Sequence, residues 1–417
     1  MKYANFVFTG RETHNLGDNL QLMAIDNLYK FMNLHDEDIV KIPYNELASW
    51  EAVDAEKVIL PISFPFLEYK EIGLSGMFSD SIVPVFIGLT LLNDNISAKD
   101  IAFLKGHEPI GCRDEYTYNN LKRAGIHVWL NGCMTLTMFQ KNSMESLRSR
   151  SSVLIIDVCN KLRDHIPQSI KENAINLSQI VTLKDDETIQ DYVVSRYQMY
   201  YDEAKLIITS RLHCAIPCIA IGIPVVLAVK KVSFRFSWVE KLLHIYTPAE
   251  FNKIDWDPSP IPCEEIKTLM MQNAVSRIRG DSFDVEDACK ISDYWLSRTK
   301  KEYHIEGFDE TIECIRKYGS FDRVEYAFWG MTTLAQMVDS YIKNHFPNAR
   351  LKHVFDKYRK IEFDGLTTER IGRYEPEKLQ KLFIFVTASA ATKEAKEFFR
   401  KINKNQNYCL CYEQFVK

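Results

Sequence analysis

The chain has 417 residues, 46% hydrophobic and 26% charged, with a formal net charge of −4. A chain of this length and ordinary composition holds two or three domains, each with its own core. The slight acidity and the absence of a basic run interleaved with aromatics exclude a general nucleic-acid binder. The N-terminus runs directly into a strand over residues 5–8, so no signal peptide is expected. Ten cysteines without CxxC pairs or regular spacing read as reduced, buried thiols of a cytoplasmic protein, not as a zinc site.

In chain order, residues 5–8 form a strand and residues 18–31 a helix, with apolar side chains at helical spacing (Leu20, Met23, Ala24, Leu28, Phe31). Between them lies a glycine-bearing loop with Arg11, His14, Asn15 and Gly17, and Asp18 stands at the helix cap. Strands follow at 57–60, 83–87 and 109–112, then a helix at 116–124 and a strand at 128–130. Arg113 falls where the strand at 109–112 gives way to a helix, with Asp114 or Thr117 as cap. An arginine there can fork onto a phosphate or carboxylate. The polar stretch 140–152 reads as a linker.

A second α/β unit starts at Val153-Leu-Ile-Ile-Asp-Val. The Lys184-Asp-Asp-Glu run reads as a solvated loop. Residues 204–229 then read as strand, helix, strand. Residues 206–208 are a short apolar strand, Ser210 caps the helix, Gly222 ends it, and Pro224 opens the next strand. Thr209, Ser210, Arg211 and His213 thus sit at a helix N-terminus on the carboxyl end of a strand, where N–H groups and partial positive charge favour an anion. Burying Arg211 and His213 among Leu212, Cys214 and Ala215 without an anionic partner would be costly. After the next strand, Lys230, Lys231 and Arg235 place three more cations at the same edge.

Residues 248–262 are a Pro- and Asp-rich loop, and helix follows to about residue 303. From 307 a third pattern appears: strands at 324–329, 351–355 and 382–386, helices at 332–345 and 391–402. It resembles a small Rossmann-like module without a glycine fingerprint, since Gly330 alone follows the first strand, and docking or oligomerisation suits it better than nucleotide binding. The fold expected is α/β: two Rossmann-like domains facing a cleft (1–145 and 151–303) and an accessory Rossmann-like domain (307–417).

Several of these clusters, in this order, resemble the polysaccharide pyruvyl transferase family. The likeness rests on Asn15, Gly17, Asp18 and Gln21, on Gly111-Cys-Arg-Asp114, and on Gly132-Cys-Met-Thr-Leu-Thr137. It rests most on Thr209-Ser-Arg-Leu-His-Cys214 with Gly222-Ile-Pro, and it covers roughly residues 1–250. The resemblance implies a glycosyltransferase B-like fold and transfer of pyruvate from phosphoenolpyruvate onto two hydroxyls of a sugar in a polysaccharide precursor, as a cyclic ketal. It implies that Arg211, Leu212, His213 and Arg113 hold the donor. Lys231, or Lys230 beside it, stands nearest the lysine that follows the Gly-x-Pro strand. His213 is the candidate acid for the enol carbon.

No metal and no cofactor beyond the donor substrate is expected. The acceptor's carrier, nucleotide or lipid, is left open by the residues; a lipid carrier implies contact with the cytoplasmic membrane face. Two other readings stand beside this one: a nucleotide-sugar-dependent glycosyltransferase of the same architecture, and a catalytically silent glycan-binding protein.

Overall fold

A computed structural model describes residues 2–8, 13–53, 56–65, 73–91, 96–139, 150–183, 189–296, 307–319, 321–357, 360, 362–374, 376–402 and 407–412. Arg11, the Lys184-Asp-Asp-Glu run and positions 140–149 of the expected linker lie outside them. The described residues fall into two compact units, 2–296 and 307–412.

The first unit holds two parallel sheets. In chain order the first comprises β1 (Lys2–Val7), β2 (Ile39–Pro43), β3 (Val58–Ile62), β4 (Ile82–Leu89), β5 (Ile110–Cys112) and β6 (Val128–Leu130), in spatial order β2-β1-β3-β4-β5-β6. Its helices are α1 (Leu16–Phe31), α2 (Ala98–Lys105) and α3 (Glu115–Arg123). The second sheet comprises β7 (Ser152–Ile156), β8 (Ala174–Leu177), β9 (Ala204–Thr209), β10 (Val225–Ala228) and β11 (Ile245–Tyr246), in spatial order β8-β7-β9-β10-β11. With it go α4 (Asn160–His165), α5 (Gln168–Lys171), α6 (Ile189–Glu203) and α7 (Leu212–Ala220).

Both sheets are therefore wound alike. The second strand lies outside the first and the chain then reverses, opening a switch point between the first and third strands. Ligands of open α/β sheets bind at the carboxyl ends of strands at such points. In the first sheet the strand ends there lead to the start of α1; in the second they carry Asp157 and the β9–α7 junction.

Two long helices close the unit, α8 (Glu264–Arg279) and α9 (Val285–Trp295). They follow the second sheet in sequence, yet they pack on the first. Leu130 N–H donates to Ser292 Oγ at 2.9 Å, Trp295 Nε1 donates to the Asn131 carbonyl at 3.1 Å, and Arg277 Nη2 reaches the carbonyls of His107 and Pro109. Trp295 and Trp238 are fully buried and meet edge to face, with ring centroids 5.1 Å apart. Gly132 is wedged against both: its φ is +75°, and a Cβ there would lie 3.2 Å from Trp295 Nε1 and 3.3 Å from Trp238 Cε3. Lys267 of α8 is almost wholly buried and donates from Nζ to the Ala220 carbonyl at 2.7 Å. It thus sets a cation at the negative end of α7.

The second unit starts with α10 (Phe308–Tyr318) and carries a parallel sheet of β12 (Glu325–Trp329), β13 (Arg350–Phe355), β16 (Phe383–Val386) and β17 (Tyr408–Leu410), in spatial order β13-β12-β16-β17. A small antiparallel pair, β14 (Glu362–Phe363) and β15 (Leu366–Thr367), lies between them in sequence, with helices α11 (Thr333–His345), α12 (Pro376–Leu379) and α13 (Thr392–Ile402). Gly330 follows β12 with φ +95°, and a Cβ there would lie 2.3 Å from the Ala388 Cβ. The glycine is thus required by packing against the chain after β16.

Candidate functional site

Helix α1 begins two residues before the expected start. Asn15 is its N-cap, accepting from Gly17 N–H at 3.0 Å through Oδ1, so Asp18 is not the cap. Asp18 instead lies in the first turn and accepts from Thr13 Oγ1 at 2.7 Å and from Asn15 Nδ2 at 3.2 Å. Burial pushes its carboxyl above the ordinary range, opposed by the Thr13 hydroxyl and then by Arg235, Arg113 and Arg211. Three arginines from separate segments therefore surround one carboxylate.

Arg113 and Asp114, at the β5–α3 turn, are both wholly buried. Asp114 caps α3 by accepting from Thr117 N–H at 2.9 Å, and Thr90 Oγ1 donates to its other oxygen at 2.8 Å. Arg113 points toward α1, where Nη1 donates to Gln21 Oε1 at 2.5 Å. Its Nε and Nη2 are buried without a hydrogen-bond acceptor, as is Nε of Arg235. Unpaired donors on shielded atoms of a cation are costly for a fold to keep, and an anion held between Arg113 and Arg235 would satisfy them.

The β9–α7 junction differs from its expected form at Ser210. The N-cap position is Arg211, and Ser210 Oγ donates to the Asp157 carbonyl at 2.6 Å in place of capping. Arg211 Nε bonds Asp157 Oδ2 at 2.9 Å, and its side chain remains 42% exposed. His213 is buried beneath it, and Leu212 is equally shielded. Helix α7 departs from ideal geometry at His213 (φ −82°, ψ 15°). The cause lies four residues on: Pro217 has no N–H for the His213 carbonyl, and its ring crowds that oxygen. The distortion sets the imidazole against α1 and Cys133. A Cβ on Gly17 would lie 3.0 Å from the His213 Cβ, and Cys133 Sγ is 3.8 Å from His213 Nε2. Burial first, then the charges of Arg113 and Arg235, hold the imidazole well below its ordinary pKa.

Arg113, Gln21, Gly17 and Asp18 from the first sheet thus meet His213, Arg211 and Arg235 from the second. Lys230 and Lys231 are exposed at the end of β10. From their loop it is Arg235, in the short turn Phe234–Phe236, whose charge reaches Arg113, His213 and Asp18.

Two residues go beyond those expected from sequence. Cys133 lies beside Arg113 and His213; its segment, Gly132-Cys-Met-Thr-Leu-Thr137, was among the motifs of the resemblance, but the thiol itself was assigned no role. Asp157 ends β7 with a left-handed φ of +51°, which an Asp tolerates better than most residues. Its only advance signal was its place at the end of an apolar strand.

The two halves also meet directly. Leu16 N–H donates to the Gln179 carbonyl at 2.8 Å, Val181 N–H to the His14 carbonyl at 2.9 Å, and Gln190 Nε2 to Asn19 Oδ1 at 2.9 Å. Among the described residues no helix is long and apolar enough to cross a membrane.

In comparisons with known proteins, the family model described as polysaccharide pyruvyl transferase matches residues 15–229. That span begins at the α1 cap and ends just past β10, so it contains Asn15, Arg113, Asp157 and the β9–α7 junction but not β1 or Arg235. Neither the curated proteins nor the solved structures give a match.

Proposed function

The chain belongs to the polysaccharide pyruvyl transferase family, and on that premise we propose that it moves the pyruvate group of phosphoenolpyruvate onto two hydroxyls of one sugar. The observation that carries this is the set of cations with N–H groups to spare: wholly buried Arg113, part-buried Arg235 with its Nε shielded, and half-exposed Arg211. Phosphoenolpyruvate bears a carboxylate and a phosphate on one small carbon skeleton, which suits several cations converging from two sides. The second sheet serves the donor and the first the acceptor, as facing lobes of a glycosyltransferase B-like arrangement.

In this reading a proton goes to the methylene carbon of the enol, leaving an oxocarbenium-like C2. The first sugar hydroxyl forms a C–O bond there and gives up its proton. The second hydroxyl then displaces the phosphate, also losing its proton, and the cyclic ketal and inorganic phosphate result. His213 carries the proton to the enol carbon. Its imidazole is neutral beside two arginines, and the donor's negative charge is what raises its pKa enough to load it.

The test is a thermal-shift titration with phosphoenolpyruvate on the wild type and on Arg211→Ala. Saturable stabilisation that disappears in the variant supports the reading. Stabilisation by a nucleoside diphosphate and none by phosphoenolpyruvate transfers the site to nucleotide-sugar chemistry.

A further inference from the structure

Arg211 is far more exposed than Arg113, and a long, part-exposed side chain has many rotamers to lose. The structure holds it from one side. Asp157 Oδ2 accepts from Arg211 Nε, the inner edge of the guanidinium, at 2.9 Å. The terminal nitrogens lie beyond that contact, on a side chain that keeps 42% of its exposure.

The same carboxylate oxygen also accepts from Gln179 N–H at 2.9 Å, and the Asp157 carbonyl accepts from Ser210 Oγ at 2.6 Å. Gln179 in turn receives Leu16 N–H, the first residue of α1. Asp157 therefore ties Arg211 to the segment after β8 and, through it, to the α1 loop with Asn15, Gly17 and Asp18. Its left-handed φ of +51° is held in place by these hydrogen bonds.

We propose that Asp157 is a positioning residue for the donor: it grips Arg211 by Nε so that the two terminal nitrogens stay presented, fork-wise, to an anion. The inference rests on Arg211 as a donor ligand and adds what prepares it. A side-on carboxylate lowers the rotamer cost of binding without occupying the bidentate edge. Its charge also offsets part of the repulsion among Arg211, Arg113 and Arg235.

The experiment is a double-mutant cycle read by calorimetric titration of the full chain with phosphoenolpyruvate. Asp157→Gly removes the side chain and suits the left-handed backbone. Asp157→Asn keeps both hydrogen-bond acceptances and loses only the charge. We expect the glycine variant to weaken binding about tenfold, the asparagine variant about threefold, and either to change it less than about twofold in an Arg211→Lys background, which keeps a cation for the donor but lacks the guanidinium edge that Asp157 grips.

An equal loss in the wild-type and Arg211→Lys backgrounds overturns the proposal, because Asp157 then acts on the fold and not through the arginine. Unchanged binding in both Asp157 variants overturns it as well. If Arg211→Ala alone binds phosphoenolpyruvate like wild type, the donor assignment falls and the positioning role falls with it. Should Asp157→Gly fail to fold, Asp157→Asn carries the same cycle.

Discussion

Arg113 donates from Nη1 to Gln21 Oε1 at 2.5 Å while its Nε and Nη2, equally shut off from water, find no hydrogen-bond acceptor. The residues are far apart in sequence and meet because α1 and the β5–α3 turn both lie at the carboxyl edge of the first sheet. The Arg113 charge also favours the ionised form of the buried Asp114 carboxyl and of Asp18. Removing it therefore takes a cation from two carboxyls as well as from any anion at the site. Arg113→Met is expected to lower the unfolding free energy by about 1 kcal/mol or more and to lose all stabilisation by phosphoenolpyruvate. A variant that melts well below wild type yet still responds to the donor would show that Arg113 is structural.

His213 gives a pH dependence with a definite sign. Its folded pKa is depressed, so below about 6.5, the ordinary value for histidine, the unfolded chain binds a proton that the folded chain does not. The stability contribution of neutral His213 is present above that pH and is lost as the pH falls through it. The slope approaches about 1.4 kcal/mol per pH unit. Chemical denaturation between pH 5 and 8 should show wild type losing stability on the acid side faster than His213→Gln. Parallel curves would contradict a neutral, buried imidazole.

Pro217 offers a way to move His213 without touching it. In Pro217→Ala the restored N–H can reach the His213 carbonyl, and the helix relaxes toward ideal geometry at that turn. Stability should change by less than about 1 kcal/mol, as the new hydrogen bond is offset by a freer unfolded chain. The ring would swing away from Cys133, and kcat/KM is expected to fall about tenfold or more, as for small misplacements of catalytic groups. Unaltered kinetics would mean that the distortion is incidental.

Gly17 is a matter of clearance. A methyl group there would press on the His213 Cβ at 3.0 Å and the Asn15 Oδ1 at 3.1 Å. Gly17→Ala should cost about 1–2 kcal/mol from overpacking and reduce turnover by forcing α1 away from α7. A fully active variant of wild-type stability would show that the contact gives way easily.

The sequence made the regular parts of this fold legible. Strands β1, β3, β4, β5, β6, β9 and β10 are apolar or β-branched runs bounded by turn residues, and each fell within a few residues of its expected place. Strand β2 was not foreseen. Ile39-Val-Lys-Ile-Pro43 is short, ends in proline and lies at the sheet edge, where one neighbour suffices to define a strand. Two caps went astray for different reasons: Asn15, three residues earlier, caps α1 locally in place of Asp18, and Asp157 drew the Ser210 hydroxyl away from α7. Only the second was beyond a local reading, which cannot see a carbonyl supplied from another strand. The return of α8 and α9 to the first sheet was equally hidden, because it rests on Ser292, Trp295 and Arg277 meeting backbone far earlier in the chain. At the site, residue types were legible and their ranking was not. Lys230, Lys231 and Arg235 read alike as loop cations, and only the turn at Phe234–Phe236 brings Arg235 inward.

The tryptophan pair around Gly132 has a spectroscopic consequence. Trp238 comes from the segment between β10 and β11, which packs on α3 through Phe234 and Ser237, and Trp295 from the helix returned to the first sheet, while Gly132 immediately precedes Cys133. Two indoles held at 85° with centroids 5.1 Å apart couple excitonically, so they add a paired signal to the ultraviolet circular dichroism of the folded chain. Any shift of the β10–β11 segment against α9 changes that coupling. The protein thus carries its own optical gauge of how the segment bearing Arg235 is seated, one that needs neither dye nor acceptor sugar.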